Sequence, residues 1–575
     1  MEIYEKGLTK KKKLFLLLAG CILIILISQF NIMKLDNLNI LNDEFGYWNN
    51  ALTLKGFNWS ELGARTPHYG IGYSLILYLI SFIPCNPSIW YKIAIGLNSV
   101  FLVFSFLGIY KIGKLIFKKL SDFSLIILAF ILTTLPQNIC YAQYTWVECL
   151  LFLLYIYATY FLLKYHYEKR VLYVFIYLLL LSFLFLVHAR NIFVFLFGGF
   201  ILVVDALIEK RIKNGVLYFT FVIISFFAVK GLEQWQLQIL HEGQKVMNVI
   251  SLDGGTFSYY FSLLLSDPKL FIISLIGKID YLLLISGFTA LFPYFLYIKK
   301  VIKSKNIFSL KYWWILGVPI LMIILTTFRT VDWLNRKDSI VYTRYFDYSL
   351  APLLLIGLGE VIGKEKKNFR FIVISSFFYF FTVSYVVSKI YIAHSFFNVV
   401  CSPVFGFLYQ QFYGQNYLAL VCEGIGFVFL IFYAISIWGK RNKILQQIIW
   451  ISISIFSLLF SYFLISNLTL EREAVENEVN SIYQKVEELE FSSIGIYSEN
   501  SDGYVRNAKF IQFREPELKF KVYDSLSKEE SPEAWLISGI DKEELMKKKW
   551  FKKEYELVEE NSLGSLYVLK DGLEK

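Results

Sequence analysis

KKKKLFLLLAGCILIILISQFNIMKLDNLNILNDEFGYW, residues 10–48, joins a basic run, an apolar segment and a pair of adjacent carboxylates. The Lys10–Lys13 run before Leu14–Ile27 has the outline of a secretory signal. No small-residue cleavage site follows in SQFNIM, so the segment reads as an uncleaved membrane anchor. Beyond it Asp43 and Glu44 stand side by side among Phe45, Tyr47 and Trp48. Two carboxylates at a membrane boundary suit acid/base work on an acceptor hydroxyl. The same residues also fit a solvated loop whose rings belong to an interfacial aromatic belt. The rest of the chain has to decide between these readings.

Apolar runs of spanning length recur from residue 14 to residue 466, and 56% of the 575 residues are hydrophobic. That makes the chain an α-helical polytopic membrane protein, because only internally hydrogen-bonded helices or closed barrels cross a bilayer. The net charge of +11 divides unevenly: residues 1–466 carry +19 and residues 467–575 carry −8. The excess sits in short clusters between apolar segments, at Lys10–Lys13, Lys111–Lys119, Lys164–Arg170, Lys210–Lys213, Lys299–Lys311, Lys364–Arg370 and Lys440–Lys443. The positive-inside rule accounts for such clusters and places all seven in the cytoplasm, with no nucleic-acid partner implied.

Consecutive clusters must then be separated by an even number of spans. Pairs are expected at 122–140 with 145–163, 171–187 with 191–208, 216–235 with 280–298, 312–328 with 348–363, and 371–390 with 415–438. A last span, 445–466, exits alone. Between Lys13 and Lys111 lie three apolar stretches, and YGIGYSLILYLISFI, bounded by Pro67 and Pro84, is short for a span. Read as an interfacial or re-entrant helix, it leaves thirteen spans and a long first external loop over about 34–87. A second external loop is expected over 237–268, polar and irregular. The domains are then a membrane part over 1–466 and an external, acidic unit over 467–575. Within that unit Glu471–Glu490 reads as a charged helix. Strand-like SSIGIY, LKFKVY, AWLIS and SLYVL alternate with helical stretches near 503–513 and 541–550, which describes a small α/β domain. The six cysteines form no CxxC pair or metal spacing, and one disulfide among Cys85, Cys140 and Cys401 stays open.

This topology sorts the polar residues onto one face. Glu148 begins the segment after LPQNICYAQYTWVE, and His188 and Arg190 occupy the outer turn FLVHARNIF. Arg329, Asp332, Arg336, Asp338 and Arg344 lie in the external connection before the tenth span. Each has an ordinary reading: lipid-phosphate anchoring for Arg190, a helix-dipole carboxylate for Glu148, a packed histidine for His188, and a solvated loop face for Arg329, Arg336 and Asp338. Together they fit a substrate with a phosphate at bilayer depth and a hydroxyl to be activated, since arginine grips phosphate with two donors.

The anchor, the external DEFGYW, the downstream HYGIGYSL (residues 68–75), the Glu148 segment and Arg344-Tyr345 in YTRYFDYSLAPLLL resemble the GT-C glycosyltransferases, among them the protein O-mannosyltransferases and aminoarabinose transferases. The resemblance implies inverting transfer of a sugar from a polyprenyl-phosphate donor to an extracytoplasmic acceptor (glycan, lipid or protein) at a cell membrane, with a bacterial plasma membrane the expected setting. It implies Asp43 as general base and Glu44 as the residue orienting base or acceptor. Arg190 and Arg344 would bind the donor phosphate, and Tyr47, His68, Tyr69, Glu148, His188 and Tyr345 would line the substrate site. Some branches of the family bridge carboxylate and phosphate with a divalent cation. The first loop here has no DxD, so no obligatory metal is expected and a divalent cation stays open. A lipid-linked-glycan flippase or transporter would share the arginines but place ionisable groups at mid-membrane. A polysaccharide polymerase or ligase would carry its chemistry in a large late external loop.

The charge pattern predicts sidedness. A cysteine replacing Ser501 should react with an impermeant maleimide in intact cells, and one replacing Lys366 should not; the reverse pattern would overturn the topology.

Overall fold

The computed structural model describes residues 9–570, apart from 40, 241–253, 305–306, 364–368, 395, 439–442, 499–503, 529–531, 541 and 563. Among the described residues nine helices are long and apolar enough to cross a bilayer: Lys10–Lys34, Pro87–Ile116, Glu148–Glu168, Ala189–Ile208, Ile212–Gln238, Leu310–Arg329, Arg370–Ile392, Gln415–Ile435 and Gln447–Leu489. They coincide with nine of the thirteen expected spans. The first of them turns Leu14, Phe15, Leu18, Ile22 and Leu26 outward and buries Gly20, Ile24 and Ser28, with Gly20 seated against the Phe106 ring. Outward apolar side chains suit lipid, and small inward ones let helices approach closely.

The other four expected spans are shorter or broken. Asp122–Thr133, Val171–Val187 and Ala351–Gly363 are helices of 12, 17 and 13 residues. The first stops ahead of Pro136, which opens a separate six-residue helix, because proline excludes helical backbone just before it. The span expected over 280–298 is two helices, Pro268–Ile285 and Phe292–Ser304. Between them Gly287 and Phe288 take left-handed backbone at φ 53° and 67°, a conformation no continuous helix contains.

The expected external loops are largely helical. Asp43 and Glu44 lie in the first turn of a helix, Leu41–Lys55, where carboxylates are favoured by the helix dipole. Ser60–Ala64 and Ile71–Ile80 follow; at ten residues, about 15 Å, the latter is too short to span. In the second loop residues 241–253 lie outside the described residues. The flanking chain forms helices, Ile212–Leu240 and Gly254–Ser266, in place of the irregular loop expected there. All six cysteines are free.

The composition break at residue 466 is not a structural break. One helix, Lys443–Leu489, runs through it for 47 residues, and the sheet begins only at Ser493. Five strands follow: β1 Ser493–Ser498, β2 Lys519–Val522, β3 Ala534–Ser538, β4 Tyr555–Asn561 and β5 Gly564–Leu569. Their order is β2-β1-β3-β5-β4, with β1 parallel to β2 and β3 and the other pairs antiparallel. The expected strands are β1, β2, β3 and β5; β4, reading YELVEEN, was not anticipated.

This unit sits on the Asp43 helix. Phe513, from the helix Tyr504–Arg514, meets the Trp48 ring edge-on at 5.1 Å, and Trp59 Nε1 donates to the Pro516 carbonyl at 3.0 Å. Lys509 Nζ donates to Asn42 Oδ1 at 2.9 Å. Phe45, Trp48 and Trp59 are therefore fully buried. They form a docking surface for the C-terminal unit, not an aromatic belt.

On its other side the outer assembly is fixed by close backbone approach. A Cβ at Gly70 would lie 2.5 Å from the Leu186 carbonyl oxygen, and one at Gly72 would lie 2.9 Å from the Val187 nitrogen. Backbone cannot yield as a side-chain tip can. Gly70→Ala should therefore lower stability by about 1–3 kcal/mol, read as a reduced midpoint of thermal unfolding in detergent. An unchanged midpoint would show that the contact is loose.

Candidate functional site

Four charged side chains from four distant segments meet at one end of the apolar helices. Arg344 Nη1 donates to Asp43 Oδ2, and its Nε donates to Glu148 Oε1 at 2.6 Å. Arg190 Nη2 donates to the same Glu148 oxygen at 3.1 Å. Glu148 is 3% exposed, Arg344 5% and Arg190 8%, whereas 19% of the Asp43 side chain reaches the surface. Two carboxylates and two guanidiniums thus neutralise one another out of water. Such groups are tolerated only when paired.

Local structure explains how each arrives. Arg190 sits in a 3₁₀ turn, Ala189–Asn191, between two apolar helices. Asn191 ties that turn down by donating to Leu184 O at 3.1 Å and accepting from the Tyr348 hydroxyl at 2.7 Å. Arg344 lies in irregular chain whose amide donates to Cys401 O, and Thr343 and Tyr141 both donate to Asp347 Oδ2 just beyond it. Each guanidinium also lies on an aromatic face: Arg344 Cζ is 3.6 Å from the Trp146 ring centre and Arg190 Cζ is 4.6 Å from that of Tyr345. Stacking holds the planes while leaving their edges for hydrogen bonds.

Those edges are not fully used. Arg190 Nε and Nη1 are buried without a hydrogen-bond partner among the described residues, as are Glu148 Oε2 and the Tyr47 hydroxyl. Buried polar groups are rarely left so, and unpartnered guanidinium donors beside a partly open carboxylate are suited to an incoming anion.

Asp43 is the accessible member. Its Oδ1 accepts from the Tyr69 hydroxyl. Tyr69 is itself anchored through its carbonyl, which accepts from Asn50 Nδ2 at 3.0 Å and Gln236 Nε2 at 2.9 Å. Burial works against ionisation of Asp43, but the adjacent Arg344 and the Tyr69 hydroxyl outweigh it and hold the carboxyl below the ordinary aspartate value. Tyr47 packs against Tyr69 at 4.7 Å. Behind Tyr69 lies a small cleft lined by His68, Tyr69, Gly70, His188, Glu233 and Gln236, among others. His188 Nδ1 accepts from the Arg190 amide at 3.3 Å. Burial, with Arg190 and Arg344 nearby, pushes its pKa well below the usual histidine value, so the ring is neutral.

Glu44 faces away from this cluster. It is fully buried. Its Oε1 accepts from the Tyr91 hydroxyl at 2.7 Å, Thr145 N at 2.7 Å and Thr145 Oγ1 at 2.9 Å, while Oε2 accepts from Asn39 N at 2.7 Å. A carboxylate so engaged braces the helix against the Thr145 turn; it does not meet the site's open side. Asp338, expected on a solvated loop face, is also buried, paired with Arg336 at 2.9 Å. Among the described residues no group of three or more His, Cys, Asp or Glu is arranged to hold a metal ion. The sequence reading missed Trp146 and Thr145. Both lie in the quoted LPQNICYAQYTWVE, where a tryptophan two residues before a buried carboxylate was the available signal.

The two carboxylates should respond differently to amidation. Glu44→Gln turns one of two oxygens that between them meet four N–H and O–H groups into a donor and should cost about 1–3 kcal/mol of stability. Asp43→Asn, at the partly open position, should shift the thermal midpoint much less. Equal midpoints for the two variants would refute the bracing role of Glu44.

No protein-family model matches the sequence, and no curated protein matches it. Solved structures match in fold. ArnT from Cupriavidus metallidurans bound to undecaprenyl phosphate aligns with a TM-score of 0.55 and 12% identity, over 97% of this chain and 98% of that one. The apo state of the same protein gives 0.53 and 12% over the same shares. The alignment runs through both the membrane part and the C-terminal unit, so the chain shares the fold of that structure over nearly its whole length.

Proposed function

We propose that this protein is an integral membrane glycosyltransferase that moves a sugar from a polyprenyl-phosphate donor to a hydroxyl of an extracytoplasmic acceptor. The observation that carries the reading is the buried Asp43–Arg344–Glu148–Arg190 cluster with donors of Arg190 left unpartnered. ArnT, whose fold this chain shares, was crystallised with undecaprenyl phosphate. A lipid of that class lays its chain among the apolar helices and its phosphate at their outer ends, at the level of the two arginines.

In this reading Asp43 takes the acceptor proton and the acceptor oxygen attacks the anomeric carbon. The bond from that carbon to the phosphate oxygen breaks, with inversion, and the departing phosphate gains negative charge. Arg190 and Arg344 neutralise it, and fixed positive charge placed where an anion develops is the strongest kind of help a site offers. Glu148 holds the two guanidiniums side by side despite their mutual repulsion. His68, His188, Tyr47, Tyr69 and Tyr345 form the walls around the sugar and the acceptor. The geometry adds a sequence of events. Without donor, Arg344 holds Asp43 at low basicity. When the donor phosphate draws Arg344 toward itself, Asp43 loses that stabilisation and becomes the stronger base just as substrate is in place. The membrane-external face carries the site, and the unit from residue 467 onward lies on that face, beside a multi-pass plasma-membrane domain.

Three measurements test this. Undecaprenyl phosphate, but not undecaprenol, should raise the thermal midpoint of the purified protein and of Asp43→Asn; Arg190→Ala and Arg344→Lys should lose most of the shift. With a panel of undecaprenyl-phosphate sugars, Asp43→Asn should release undecaprenyl phosphate about 10²–10⁴-fold more slowly than wild type. The acidic limb of kcat/KM for the unliganded enzyme should fall below the ordinary carboxylate range, leaving the profile flat from pH 7 to about pH 5. Near-wild-type release by Asp43→Asn would remove the base, and binding unaffected by either arginine change would remove the phosphate site.

A further inference from the structure

The helix that leaves the membrane last carries a buried cation. Arg472 is 6% exposed and makes no ion pair with a carboxylate among the described residues. Its Nη1 donates to Gln143 O at 2.7 Å, and its Nη2 donates to Asn37 O at 3.3 Å and to the Tyr91 hydroxyl at 2.6 Å. The Tyr91 hydroxyl has one proton, and that proton goes to Glu44 Oε1 at 2.7 Å. The order of donation is therefore fixed: Arg472 to Tyr91, Tyr91 to Glu44. A buried guanidinium without a counter-charge is costly; here Glu44, one hydroxyl away, supplies it together with Glu476, one turn along the same helix.

The chain of contacts continues into the site. Glu44 adjoins Asp43 in the same helical turn, and the Thr145 amide and hydroxyl that it grips immediately precede Trp146, the ring on which Arg344 stacks. Both moving parts of the reaction, the base and the arginine that releases it, thus stand on supports fixed by Glu44. The helix bearing Arg472 also receives the sheet: Asn561, at the end of β4, donates to Glu478 O at 2.7 Å.

We propose that Arg472 and Tyr91 are positioning residues for transfer, holding Glu44 so that Asp43 and Arg344 keep their reacting alignment and tying that alignment to the seating of the C-terminal unit. The inference rests on Asp43 acting as base. It assigns function to two residues that touch neither donor nor acceptor, on segments 381 positions apart.

The test uses the full-length protein and undecaprenyl-phosphate sugars. Tyr91→Phe removes one oxygen and keeps the ring. It should lower kcat about tenfold or more, since a misplacement of about 1 Å caused far from the chemistry can cost roughly a hundredfold. The fall in kcat should exceed any rise in donor KM, because the displaced groups act on the transition state more than on bound donor. The acidic limb of the kcat/KM profile should move up toward the ordinary aspartate value as the Asp43–Arg344 contact loosens. Arg472→Gln should behave alike, and Arg472→Lys should recover part of the loss. Wild-type kcat and an unshifted profile in both Tyr91→Phe and Arg472→Gln would overturn the proposal. So would a loss confined to the thermal midpoint and to undecaprenyl phosphate binding, with no movement of the pH profile. The two readings fail separately: an active Asp43→Asn sinks the base itself, whereas an inactive Asp43→Asn beside a normal Tyr91→Phe sinks only the positioning role.

Discussion

A single carboxylate oxygen, Glu148 Oε1, accepts from two guanidiniums, and the structure around it is built to keep it there. Arg190 and Arg344 would repel one another in a medium that screens poorly; the shared oxygen makes their proximity favourable, and Asp43 completes the balance. Everything that fixes those four groups therefore bears on the site. The 3₁₀ turn at Ala189–Asn191, the stacking rings of Trp146 and Tyr345, and the glycines that bring Ile71–Ile80 against the end of Val171–Val187 all serve one neutral, nearly dry cluster.

The charge balance also explains why the two acidic neighbours divide their work. Adjacent residues on a helix point about 100° apart, so Asp43 and Glu44 cannot both face one substrate. One looks outward to Tyr69 and Arg344 and keeps some exposure. The other looks inward and is consumed by four donors. Two carboxylates in sequence are one partly open group and one fastening.

Much of this was legible in the sequence, for identifiable reasons. Long apolar runs give the membrane helices because lipid leaves the backbone few choices. The outer-face charges stood out because charge is scarce in such a chain. What stayed hidden depended on distant partners. Leu41–Lys55 reads as a polar, aromatic loop and is helical under cover of a segment more than 450 residues later. Phe45 and Trp48 look like belt residues until Phe513 is placed on them. Arg472 looked like one charge among many in an acidic tail helix, and only its burial sets it apart. The break at Gly287–Phe288 is marked by Gly287 and by Pro293 at the second position of the next helix, signals that the apolar run around them masks.

The contacts between Asn42 and Lys509 join positions 467 residues apart, and Arg472 reaches back 435 residues to Asn37. A ribosome adds about 5–20 residues per second, so roughly 20–90 seconds separate the emergence of the two sides. Throughout that interval the first external helix waits in the membrane without its cover, with Trp48 and Trp59 exposed. Termination and maturation are thereby linked: a chain released early would insert its spans and still lack the roof under which Asp43 and Arg344 come to rest. An unfinished copy would occupy the membrane with its four-charge cluster unassembled.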